Sequence, residues 1–287
     1  MSQKDFESRH LNGANDGRTS YVSMRAWAVI YPVFLYLAVC QIVNFCLRVL
    51  PFTAGWDAVW RQGADSLVGV LVLYGVFVRD HAYGSQDENK DSRRIFLTAV
   101  SRRSVIGMLC AVLMLGCASI ALNNLIALTS LKELSGTYQA VEQAFYSSKL
   151  LWELLVLGVI TPVAEEILYR YLVFYQLRGW LGRAAAIVGS ALIFGLIHLN
   201  VVQTSYAFVL GLLLGILMEV YQDVRVAICG HMMANMLSLV RGETHFLSWL
   251  VLDSRWYLPV TDALVFLTAM MAIILIDRIK KSASDVK

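Results

Sequence analysis

The sequence predicts an all-α fold: a polytopic bundle of about eight transmembrane helices around a central polar cavity. Three observations predict it. The 287 residues are 58% hydrophobic and only 16% charged, with a mean hydropathy of +0.61, whereas soluble chains are about 45–50% apolar and about 25% charged. Apolar runs recur along the chain, each approaching the roughly 20 residues that a helix needs to cross a bilayer core. One of these runs carries three ionisable residues, Glu165, Glu166 and Arg170, and such groups are tolerated at membrane depth only where they face a polar interior.

The elements follow in order. Residues 1–25 are polar and mixed in charge and read as a cytoplasmic tail. The first apolar run, about 26–50, is too long for a signal-peptide core and no small-residue cleavage site follows it, so it should remain as a helix. Further spans are expected at about 64–79, 104–128, 150–176, 184–200, 204–221, 224–241 and 257–277. Residues 26–278 then form a single transmembrane domain. Between the third and fourth spans, residues 129–149 are amphipathic and read as an interfacial helix. The 84–94 segment reads as a solvated loop.

Loop charge predicts orientation. Lys4, Arg9, Arg18 and Arg25 in the tail, Lys90, Arg93, Arg94, Arg102 and Arg103 in the 80–103 loop, Arg178 and Arg183 in the 177–183 turn, and Arg278, Lys280 and Lys281 at the end all fall on one side of an eight-span chain. Both termini are therefore expected in the cytoplasm of an integral membrane protein, most simply in a prokaryotic cytoplasmic membrane. The net charge of +3 is too small to indicate nucleic acid. Five cysteines lie within apolar runs, without a CxxC pair or a Cys/His cluster, and read as packing groups.

The chemistry concentrates in three polar motifs. Glu166 and Arg170 are four apart, hence on one helix face, and Arg170 can keep Glu166 ionised. Glu165 points about 100° away and is free to act on water as a general base. Gly158 and Pro162, one to two turns earlier, allow a close backbone approach and a freed carbonyl. His198 follows Phe194 by four residues in another helix. His231 and Asn235 are four apart in a third helix and can donate to a developing oxyanion. Buried in one bundle, these groups are most simply satisfied by one another. Glu153, Glu219 and Asp223 lie near span ends, where snorkelling suffices.

Glu165-Glu166-x-x-x-Arg170, Phe194-x-x-x-His198 and His231-x-x-x-Asn235, in this order and in successive helices, resemble the three motifs of the CPBP family, the CAAX proteases and bacteriocin-processing enzymes. The resemblance covers about 150–241, which it marks as a catalytic core. It implies a glutamic-type intramembrane endopeptidase acting on a membrane-associated protein or peptide in the lipid bilayer. Glu165 would activate water with help from His198. His231 and Asn235 would stabilise the oxyanion, and Glu166 with Arg170 would support the site. The family often has glycine after the motif arginine, where this chain has Tyr171. Members have also been described as metalloproteases, so Glu165, His198 and His231 are the candidate zinc ligands. Without an HExxH or HxxEH motif, a cofactor-free mechanism is placed ahead of zinc. Two other classes compete: a non-catalytic peptide binder or bacteriocin-immunity protein, and a proton-coupled transporter.

Overall fold

The structure is a computed structural model that describes residues 3–53, 55–83, 100–145 and 149–284. It is all helical, with no strand among the described residues. Helix α1 (Gln3–Val49) begins well before the first apolar run. It is followed by α2 (Ala58–Tyr83), α3 (Arg102–Ala127) and two short helices, α4 (Leu131–Leu134) and α5 (Gly136–Phe145). The next long helix is interrupted twice: α6 (Leu150–Leu155), a π-turn at Val156–Ile160, α7 (Thr161–Glu166), a second π-turn at Ile167–Val173, and α8 (Phe174–Leu181). Then come α9 (Arg183–Leu196), α10 (Val201–Tyr221), α11 (Val224–Glu243) and α12 (Tyr257–Ser284).

Each expected span is largely helical, although α9 stops at Leu196, short of the expected end at 200. Among the described residues, four helices are long and apolar enough to cross a membrane: Val22–Val49, Arg102–Ala127, Val201–Tyr221 and Tyr257–Ser282. The difference from eight has a physical source. Helix α9 has only 14 residues, and α11 and the interrupted helix spend part of their length on polar groups that face one another. The expected 84–94 loop lies outside the described residues.

Packing follows composition. Helix α3 lies against α11 and α12, and α9 against α10. One core cluster joins Leu168, Tyr169, Val173 and Phe174 of the interrupted helix to Val29, Val33 and Tyr36 of α1. A second joins Met114 and Leu115 of α3 to Leu214 and Leu217 of α10 and Ala227 and Ala234 of α11. Large apolar side chains also cover the outside, including Phe34 and Phe45 on α1 and Phe266 and Ile273 on α12. Exposed apolar surface on this scale would be a liability in water. In a bilayer it is the ordinary outer face of a bundle, because lipid tails are as apolar as the side chains.

Candidate active site

The first interruption of this helix rests on two residues. In the first π-turn the Thr161 N–H bonds to Val156 O, five residues back. Continued one residue on, that pattern would give Leu157 O to the N–H of Pro162, which proline lacks. Leu157 O therefore needs a donor from outside, and Asn235 Nδ2 supplies it at 2.9 Å. Gly158 makes the approach possible: a Cβ there would sit 3.0 Å from Met236 Cγ of α11. Proline and glycine thus free a carbonyl and open the path by which α11 reaches it. π-turns of this kind are often found at functional sites.

Just beyond Pro162, the helix presents its carboxylates in two directions. Glu166 points inward and is fully buried, as is Arg170. Arg170 Nε lies 3.2 Å from Glu166 Oε2, Nη2 donates to Gly211 O at 3.4 Å, and the guanidinium stacks 5.4 Å from the Phe194 ring centroid. The i, i+4 pairing expected from the sequence is present. The structure adds a third member: His231 Nδ1 donates to Glu166 Oε1 at 2.9 Å. Arg170, Glu166 and His231 form one buried chain, in which Glu166 fixes the orientation of the His231 ring.

Glu165 faces the other way, with 19% of its side chain exposed. Its Oε2 lies 3.7 Å from His231 Nε2, beyond hydrogen-bond reach. It lines a cavity of about 360 Å³ together with His198, His231 and Asn235. His198 lies in the turn just past the end of α9, and its Nδ1 is 2.9 Å from Phe194 O in the last turn of that helix. A carbonyl can only accept, so Nδ1 carries the proton and Nε2 is left as an acceptor when the ring is neutral. The Phe194 ring stands edge-on to His198 and His231, at 5.3 and 5.5 Å, and holds the two imidazoles apart.

The three motifs therefore meet at one cavity. Glu166 and Arg170 lie behind its wall, not in it. Glu153, Glu219 and Asp223 differ from their reading as snorkelling groups: all three are buried. Glu219 is held by Arg178 and Arg183. Asp223 caps α11 and pairs with Arg225.

Several residues in and behind the cavity wall were not singled out by the sequence. Tyr206 and Ser238 line the cavity and, with the buried Ser119 behind them, form a hydroxyl cluster on three helices with oxygen separations of 2.8, 3.1 and 3.2 Å. Asn123 Nδ2 donates to Ser238 Oγ at 3.1 Å. The Thr161 hydroxyl lines the cavity without a partner among the described residues. Lys132 and Tyr138, from the segment read as an interfacial helix, also reach the cavity. The available signal was polar side chains inside apolar helices, notably Ser119 and Asn123 four apart.

The donor chemistry of Glu165, His198 and His231 suits zinc. As the side chains stand, no group of three His, Cys, Asp or Glu among the described residues is gathered around a metal position.

Fold and site define an all-helical integral membrane protein with a buried Glu–Arg–His chain behind a polar cavity. Comparison with known families gives the second step. Residues 147–237 match the Rce1-like family model, described as type II CAAX prenyl endopeptidase Rce1-like. The resemblance drawn from the three motifs is borne out, since the matched stretch contains all of them. No curated protein and no solved structure matches the chain.

Proposed function

We propose that the protein is an intramembrane endopeptidase that hydrolyses a peptide bond of a membrane-associated protein or peptide, with Glu165 activating water. One observation supports this above the others. Of two adjacent carboxylates, Glu166 is sealed into a pair with Arg170, while Glu165 stands at a cavity shared with His198, His231 and Asn235.

Glu165 takes a proton from water as the oxygen attacks the scissile carbonyl carbon. His198 Nε2 accepts from the same water and orients it. The second N–H of Asn235, not used on Leu157 O, is a donor for the oxyanion. His231 already donates from Nδ1 to Glu166, so it adds a second donor only as the imidazolium. As the C–N bond breaks, the proton held by Glu165 passes to the leaving amine. Each step uses groups of this chain, and none is routed through a metal.

The eight helical runs all cross the bilayer in this reading. The cavity lies where α2 and α10 begin and α3 and α11 end, beside α4 and α5. That end is opposite the basic segments, so on the positive-inside rule substrate reaches the site from the non-cytoplasmic face. In a background without the five native cysteines, Lys132→Cys should react with an impermeant maleimide from outside. Labelling from the inside alone would reverse the orientation.

The main test compares protein and peptide termini, by mass spectrometry, in cells carrying wild type or Glu165→Gln at matched expression. A defined set of termini should vanish in the variant while the protein remains folded. Unchanged termini in the presence of a substrate cut by wild type would defeat the assignment and favour a peptide binder. Loss of cleavage on chelation, restored by zinc, would replace the cofactor-free reading.

A further inference from the structure

At the opposite end of the bundle lies a second cavity, of about 630 Å³. The first turn of α3, the start of α9 and the last turns of α8, α10 and α12 enclose it. Five arginines line it, Arg102, Arg103, Arg178, Arg183 and Arg278, against one carboxylate, Glu219.

That carboxylate is already engaged. Arg178 donates to both of its oxygens, at 2.6 and 3.0 Å, and Arg183 Nε lies 3.0 Å from Oε1 as well. Arg103 donates to Val220 O, at the end of α10. Arg102 and Arg278 are exposed and form no ion pair among the described residues. A helix start favours negative charge. Yet α3, 26 residues long, has no acidic residue in its first turn and has Arg102 and Arg103 there instead.

One further observation indicates what answers this charge. One turn below Arg102, α3 turns an exposed apolar stripe outward: Ile106, Leu109 and Leu113. A ligand with an anionic head and an apolar tail matches both parts, and a basic pocket between helix ends on the side of the basic loops is suited to lipid headgroups.

We propose that this cavity binds the phosphate of an anionic phospholipid, with Arg102 and Arg278 at the phosphate and the acyl chains along Ile106, Leu109 and Leu113. A free phosphate would use the same arginines but gain nothing from the stripe.

The test uses the full chain in a neutral detergent and isothermal titration calorimetry with dioctanoyl phosphatidylglycerol, dioctanoyl phosphatidylcholine or inorganic phosphate. Saturable binding of the glycerol lipid is expected, with binding of the other two at least tenfold weaker. The double variant Arg102→Ala/Arg278→Ala should weaken it about thirtyfold, for two charges at an anionic surface. Both side chains are exposed and outside the Glu219 pairs, so the thermal midpoint should hold. Undiminished binding by a folded double variant would overturn the proposal. So would equal binding of the choline lipid, or of inorganic phosphate, which would assign the arginines to a soluble anion.

Discussion

Replacing Arg170 by alanine removes the cation from a fully buried pair. Glu166 then keeps one partner, His231 Nδ1 at 2.9 Å. Two smaller contacts go with it, the bond to Gly211 O and the stack on Phe194. A neutral hydrogen bond contributes about 1 kcal/mol and a cation–π contact about 0.5–2 kcal/mol. Stripping one partner from a buried ion pair costs roughly 3–5 kcal/mol, because the remaining charge is left uncompensated. The charge effect therefore dominates. At about 2–4 °C per kcal/mol for larger soluble domains, the thermal midpoint should fall by on the order of 10 °C. The assay is thermal unfolding in detergent followed by tryptophan fluorescence. Glu166→Gln/Arg170→Met removes both charges at similar volume and should recover most of the loss. An Arg170→Ala protein that melts with wild type would refute the reasoning. A double variant that falls as far as the single one would refute it too.

Three other outcomes are expected. Pro162→Ala restores an N–H opposite Leu157 O, so the helix competes with Asn235 for that carbonyl: the thermal midpoint should hold or rise while cleavage drops, and unchanged cleavage would show the π-turn to be irrelevant. Asn235→Ala should lower kcat by about 10²–10³ if its second N–H meets the oxyanion, whereas a change confined to KM would remove it from that role. Burial works to raise the Asp223 carboxyl, but hydrogen bonds from Arg225 outweigh it and hold the group below the usual carboxylate range. Its contribution to stability is therefore present above about pH 4, the ordinary aspartate value, and is lost as pH falls through the lowered one. Arg225→Ala should bring acid unfolding to higher pH, and superimposable acid melts of variant and wild type would count against the pairing.

Some of the site was legible because its geometry is local. Glu166 and Arg170 are four apart in one helix, and the backbone alone brings them together. Pro162 and Gly158 announced a freed carbonyl and a close approach for the same reason. The donor that reaches Leu157 O could not be read, since Asn235 is 78 residues away. Nor could the bond from His231 to Glu166, which needs α11 to pack on α7. Reading Glu153, Glu219 and Asp223 as snorkelling groups failed because position along a span says nothing of which neighbours cover it. The 129–149 segment was legible as amphipathic, but its proximity to the cavity was not.

By itself the sequence determined the medium and the periodicity: apolar runs that only a bilayer accommodates, and polar motifs set at helical spacing inside them. These depend on local composition and on 3.6 residues per turn, which any helix obeys. Tertiary structure decided the rest. It joined His231 to Glu166, left Glu165 at the cavity and gathered five arginines from four helices around one carboxylate. Such pairings depend on which helix faces are buried together, and the packing of the whole bundle alone selects them.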